Sequence, residues 1–257
     1  WISTQPVQHL LRLWQTTEHI GSVAAISEGV TRLKALSDAK AAMTVALPTM
    51  KNRVETMDGK DASYLVHEYL HDNWQPIWFN QMADELSAAK LSYVGTASVG
   101  DLFVESIVPQ AQKDILVQYD DPIMRQVMID VLVNQTFRKD VFARGATQMW
   151  GAVKQQTMLD MAFVLLNRPE NDAFKFKLSV GEVTGKVETY KLLVDALANG
   201  QKTVRELVEV TGKSLNETVQ AMTMLMHGGH VALQKPIANR KPEKTLNRVI
   251  IAARQTR

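Results

Sequence analysis

No cysteine occurs anywhere in the 257 residues. That rules out a disulfide framework, a thiolate nucleophile, and zinc or iron–sulfur centres held by thiolates, and it is compatible with a reducing cytoplasm. Closely spaced glycines are missing as well. None of the thirteen glycines stands two residues from another, so Gly-x-Gly is absent and no Rossmann-type cofactor loop is encoded. No apolar run approaches the roughly 18 residues a membrane-spanning helix needs, and Met161–Leu166 is among the longest. Charge is nearly balanced, 29 Lys and Arg against 27 Asp and Glu, which leaves no global field to steer nucleic acid or anionic lipid. With 46% hydrophobic residues the signature of disorder is missing too. No signal-peptide pattern opens the chain. It begins Trp1-Ile2-Ser3 and is read as a fragment of a longer protein.

What is present is unevenly placed. Residues 231–257 hold seven basic side chains against Glu243, a balance of +6, so the remainder carries −4. A basic tail of this kind contacts phosphate or an acidic surface, or simply faces water.

Helical periodicity dominates the first two thirds. Leu10, Leu11 and Trp14 form one apolar face; Val23, Ile26, Val30 and Leu33 form another. Asp121-Pro122 reads as an N-cap with proline at the first helical position, followed by a buried face of Ile123, Val127, Val131 and 133–137. A long helix is predicted over 147–166, ended by Asn167-Arg168-Pro169. Strands are predicted at Leu91–Val94, Phe174–Val180 and Val249–Ala253, the second alternating with period two. The fold class is mainly α with small β elements, divided into a helical domain over 1–172 and a second module over 173–257.

The second module has a compact pattern. A helix over 189–198, with Leu192, Leu193, Ala196 and Leu197 inward, stops at Asn199-Gly200. Thr203–Glu206 and Ser214–Glu217 are two capping boxes separated by Gly212. A third helix over 215–226 ends at Gly228-Gly229, before a strand at Val231. The order is winged-helix-like. A DNA-binding regulator is therefore one alternative. Against it, the third helix has no Lys or Arg after Lys213, and a recognition helix needs donors for bases and phosphates.

Two local motifs offer chemistry. His67-Glu68-Tyr69-Leu70-His71 has the H-E-x-x-H spacing that puts two imidazoles on one helix face to hold zinc, with Glu68 to activate water. This zinc-hydrolase alternative lacks a third ligand: Trp74 and Ile77 fill the metzincin Gly and His positions, and Glu85 and Glu105 lie off the other zincin spacing. Gly95–Gly100 has P-loop glycine spacing, but Asp101-Leu102 replace the required Lys and Ser/Thr, which favours a plain turn. Trp78, Met82 and Leu86 share a helix face in a helix starting at Gln75-Pro76, a stripe that is more often core than binding surface. Arg138 and Arg144 either meet an anion or pair with acids on neighbouring helices.

Three of these segments carry a family likeness. Tyr64–Leu70, Trp74-Gln-Pro-Ile-Trp78-Phe79 and Glu85–Gly95 resemble the predicted methyltransferase regulatory domain, and Gln135–Gly145 looks like a second block of the same family. That domain follows the catalytic domain in bacterial class I S-adenosylmethionine-dependent methyltransferases, including protein-lysine enzymes. The resemblance implies a non-catalytic, substrate-recruiting C-terminal region. S-adenosylmethionine is then expected in an N-terminal domain upstream of Trp1. The expected partners are the catalytic domain of the same chain, a protein substrate and a second copy, in the cytoplasm, without nucleic acid or membrane span. No residue here is assigned a catalytic, cofactor-binding or metal role. Trp74, Trp78, Arg138 and Arg144 are the candidates for a partner groove.

Overall fold

Val7 and Leu11, four residues apart, bury one face of helix α1 (Gln5–Glu18) against α2 (Ser22–Asp38). The face α2 turns inward is Ala25, Ile26, Gly29 and Leu33, and Val23, expected there, is exposed. The reason is the close approach at Gly29, where a Cβ would stand 2.5 Å from the Leu11 side chain. A computed structural model describes residues 4–234 other than His19 and Trp74. The strand expected at 249–253 and the basic tail from Lys235 onward lie outside the described residues.

The chain divides into two units, one holding the residues up to Gly95 with Pro109–Gly145, the other Thr96–Val108 with the residues from Ala146 onward. In the first unit, α3 (Ala42–Ala46) leads into α4 (Pro48–Met57), whose proline sits in the first turn, where its missing N–H costs nothing. Met50, Val54 and Met57 of α4 join Leu65 and Tyr69 of α5 (Ala62–Tyr69) in the core under α1 and α2. After α6 (Phe79–Ala88) and strand β1 (Leu91–Thr96) the chain leaves for the other unit. There it makes a 3-10 turn at Val99–Phe103 and a short α7 (Val104–Ile107). It returns through α8 (Gln110–Leu116) and α9 (Pro122–Val133) to β2 (Asp140–Arg144), which pairs with β1.

In the second unit the helix expected over 147–166 is α10 (Gly151–Asp160) followed by strand β3 (Ala162–Leu165). The apolar run Met161–Leu166 fits either state locally, and pairing decides it. β3 lies between β6 (Lys202–Thr203) and β7 (Val231–Leu233), antiparallel to both, with Ala162 opposite Thr203 and Phe163 opposite Leu233. A separate hairpin joins β4 (Lys175–Leu178) to β5 (Gly181–Thr184). α11 (Val187–Ala198), α12 (Val204–Thr211) and α13 (Leu215–His227) complete the unit. α11 buries Leu193, Val194 and Leu197, while Leu192 is exposed. Phe163, Phe174, Phe176, Leu207, Met222 and Leu225 fill the centre.

Both capping boxes are made. Glu206 accepts from the Thr203 backbone N–H at 2.7 Å, and Glu217 from that of Ser214 at 3.1 Å. Gly212, at φ +62°, ends α12 in the left-handed conformation glycine tolerates. Gly100, one of the P-loop-spaced glycines, stands where a Cβ would come within 2.6 Å of Leu178 and 2.7 Å of His227, so its role is close packing. No described helix is long and apolar enough to cross a membrane.

Candidate functional site

Arg138 organises the first unit's polar centre. Its Nη1 donates to Asp130 Oδ1 at 2.6 Å, and its Nε and Nη2 hold the two oxygens of Asp140 at 2.8 and 2.9 Å. Nη2 also reaches Gln126 Oε1 at 3.0 Å and the Tyr93 hydroxyl at 3.2 Å. The guanidinium carbon lies 4.1 Å from the Phe79 ring centroid, a cation–π contact, and Phe79, Tyr93 and Phe142 form an aromatic group around it. Side-chain exposure is 17% for Arg138 and 12% for each aspartate, so both pairs are largely desolvated rather than on the surface, and the one with Asp140 is bidentate.

Local chain geometry makes the hub. Asp121 caps α9, accepting from the Met124 N–H at 2.7 Å, with Pro122 in the first turn as the sequence predicts. Asn134 ends the helix with φ +50°, and Gln135 N–H donates back to Asp130 O at 2.8 Å. The chain therefore reverses past the end of α9, which brings Arg138 to Asp130. This early stop also corrects the expected buried face: no residue of α9 is fully buried, Val131 is exposed, and Phe137 lies beyond the helix, 60% exposed.

The titration behaviour follows from these contacts. Burial alone would lower the Arg138 pKa, but its bonds to Asp140 and the charges of Asp130 and Asp140 hold it above the ordinary arginine value. At Asp130 burial wins, and the carboxyl sits above the usual aspartate value despite Arg138. The asymmetry has a cause: Arg138 faces two carboxylates, whereas Asp130 faces one guanidinium and the like charge of Asp140. Burial also raises the Tyr93 hydroxyl.

Beside the hub is a cavity of about 790 Å³, lined from α5, the segment after it, α6, the end of α9 and residues 135–140. Two of the four predicted groove residues, Trp78 and Arg138, line it. Arg144 does not; its Nη2 donates to Ala89 O at the end of α6, at 3.2 Å. Trp74 lies outside the described residues. The helix expected from Gln75-Pro76 begins only at Phe79, with the Trp78 N–H held by Gln81 Oε1 at 2.9 Å. That start turns Phe79 and Ala83 inward and leaves Trp78 and Met82 on the open face, lining the cavity instead of packing in the core.

The H-E-x-x-H residues also meet this cavity. Asp61 caps α5 by accepting from the Tyr64 N–H at 3.0 Å, and Leu65 and Tyr69 face the core, where burial pushes the Tyr69 hydroxyl up to about 12. His67 and Glu68 lie on the cavity side. The helix ends at Tyr69, so His71 stands beyond it rather than one turn along the same face. Its segment is tied to α1 by Arg12, which donates to His71 O at 3.3 Å and to Asp72 Oδ1 at 2.7 Å. Among the described residues no group of three His, Asp or Glu side chains is placed to hold a metal ion.

Sequence reasoning missed Asp130, Asp140, Gln126 and Tyr93 as members of the hub. One signal was available: Asp130 is a carboxylate in the otherwise apolar stretch 127–133 of the helix, where an acid needs a partner.

Residues 61–144, the stretch that includes the hub and every lining residue of the cavity, match the model of the predicted methyltransferase regulatory domain. An uncharacterized protein of Synechocystis sp., sll1526, is 27% identical over 251 residues, covering 95% of this chain and 49% of its own length. The solved structure of PKMT2 from Rickettsia typhi is similar in fold, with a TM-score of 0.60 at 15% identity, covering 91% of this chain and 49% of that one. Its complex with AdoHcy aligns with a TM-score of 0.59, also at 15% identity, covering 91% and 50%. The chain thus spans about half the length of the relatives it matches.

Proposed function

We propose that these residues form the non-catalytic, C-terminal regulatory and substrate-recruiting part of an S-adenosylmethionine-dependent methyltransferase that modifies protein lysine. The carrying observation is that the cavity beside the Arg138 hub lies in the stretch matching the methyltransferase regulatory domain. The likeness in fold to PKMT2, and the half of each relative's length left unmatched, support a longer parent. The residues here do not fit the methyl donor, since no Gly-x-Gly loop exists to let a backbone approach it. No step of transfer is therefore routed through this chain. Its part is to hold the protein substrate, with α11, α12, α13 and the strands β6, β3 and β7 acting as a winged-helix-like packing module. The cytoplasm is the compartment in which we place it.

Calorimetric titration with S-adenosylmethionine tests the division of labour. The 257-residue chain is expected to take up no donor, while the longer parent binds it and transfers labelled methyl to lysine of a protein substrate. Tight binding of the donor by the 257-residue chain overturns the reading.

A further inference from the structure

We propose that the cavity beside the Arg138 hub is a docking site for a basic, apolar-flanked peptide segment of the protein substrate, holding a lysine side chain next to Trp78. The inference rests on the substrate-recruiting reading above and names the chemistry of what is recruited.

Three observations converge. The first is apolar surface. Trp78 is 45% exposed and Phe137 60%, and Ile77, Met82 and Val131 are exposed as well; all five line this one cavity. Single exposed apolar residues are ordinary, but a cluster at one concavity marks an interaction surface. The second is charge. Among the described residues the lining carries Glu68, Asp130 and Asp140 against Arg138, a formal −2 with the histidines neutral. Arg138 is already engaged by both aspartates, so among the described residues the lining offers no free Lys or Arg to an anionic ligand. A phosphate or nucleic-acid backbone meets repulsion here, whereas an ammonium meets carboxylates and the face of an indole. The third is size. About 790 Å³ falls within the roughly 300–1,000 Å³ range of ligand pockets, room for a few side chains rather than a bare ion. The raised pKa of Asp130 agrees: its charge is under-compensated, and an arriving cation supplies what Arg138 does not.

Lysine suits the site because its four-carbon stem covers apolar surface while its head reaches the carboxylates. The adjacent Asp130–Arg138–Asp140 set holds α9 and the 135–140 segment in place, so the lining is preorganised rather than assembled on binding.

The test titrates the 257-residue chain with acetyl-Leu-Lys-Leu-Lys-Leu-amide and with the same peptide carrying Glu for Lys. The lysine peptide is expected to bind and the glutamate peptide to bind at least about tenfold more weakly. Trp78→Ala is expected to weaken the lysine peptide by about tenfold or more, and Glu68→Gln by a few-fold. Far-UV circular dichroism and the unfolding midpoint verify that each variant is folded; Met82→Ala, with the same expectation as Trp78→Ala, replaces any that is not. Equal binding of the two peptides, no binding of either, or a Trp78→Ala chain that binds as well as the original overturns the proposal. So does a dimer that Phe137→Glu dissociates while no peptide binds, because the cavity then belongs to a second copy. Methyl transfer by the longer parent separates the two readings. Transfer unaffected by Trp78→Ala sinks the docking site and leaves the proposed function standing. Peptide binding as expected, with a parent that transfers no methyl group, leaves the docking site standing and sinks the proposed function.

Discussion

Two aromatic groups in this chain use the same kinds of ring to different ends. Around Phe176 in the second unit, Phe174 and Tyr190 stack at 5.2 Å, with Phe176 5.4 Å from Tyr190 in an apolar core. Around Arg138 in the first unit, Phe79 and Tyr93 meet edge-on at 4.9 Å and enclose a guanidinium. The first arrangement fills space; Phe174 and Phe176 are almost wholly buried. The second holds a shape open: hydrogen bonds in fixed directions position α9 and the segment after it, and a cavity remains beside them. An apolar core is close-packed and leaves little open space, whereas directional polar contacts can keep a concave site in place.

The comparison predicts how each group fails. Phe176→Ala leaves a void among well-packed neighbours and is expected to destabilise the second unit by about 4 kcal/mol in denaturant unfolding. Arg138→Met strands two carboxylates and is expected to cost the first unit about 3 kcal/mol. If stranded charge is the cause, converting Asp130, Asp140 and Arg138 together to apolar residues of similar size costs less than Arg138→Met alone. A triple variant weaker than the single one would mean that the geometry of the pairs, rather than charge left alone, holds the unit together.

The same contrast explains what could be read from the residues in advance. The capping boxes at Thr203 and Ser214, the Asp121 cap and the stop at Gly212 are local devices, closed within a few residues, and each is found where its motif stands. β3 was legible only as an apolar run, because what makes it a strand is pairing with Thr203 and Leu233, roughly 40 and 70 residues away. The Arg138 hub has the same difficulty, since Tyr93 lies 45 residues from its partner. Trp78 and Arg138 line the cavity whereas Arg144 turns to a helix end, and residue type alone does not distinguish the two placements. Nor could helical spacing place Trp78 and Met82, because the face a stripe presents depends on where the helix begins.

Acid sharpens the contrast by acting in opposite directions on two carboxylates. Backbone and hydroxyl hydrogen bonds from Thr203, with Lys202 nearby, hold Glu206 down to about 2. Its folded pKa is depressed, so its contribution is present above the unfolded value near 4.5 and is lost as pH falls toward 2. Asp130, raised by burial, has the reverse sign: the folded chain binds its proton more readily, so from above its unfolded value of 3.8 acidification favours the fold at that position. Unfolding midpoints measured from pH 6 to pH 2.5 are expected to fall less steeply in Glu206→Gln, where the amide oxygen keeps the cap but the charge is gone. Asp130→Asn is expected to fall more steeply than the original. A common slope for both variants would mean that neither carboxylate is coupled to folding as its contacts imply.

The smallest expected effect is at Thr218, on α13 within the apolar core. Its hydroxyl is buried with no hydrogen-bond partner among the described residues, while its neighbour Thr223 donates to Val219 O at 2.8 Å. A buried hydroxyl without a partner has given up water and received nothing in return, so removing it relieves a desolvation cost instead of breaking a bond. Thr218→Val keeps the shape and is expected to leave stability unchanged or to raise it by about 1 kcal/mol or less in denaturant unfolding. Thr223→Val loses a made bond and is expected to lower stability by about 1 kcal/mol. A loss at Thr218 as large as that at Thr223 would mean that its hydroxyl finds a partner in solution, so that even the apolar core of the second unit relies on a polar contact, as the Arg138 hub does.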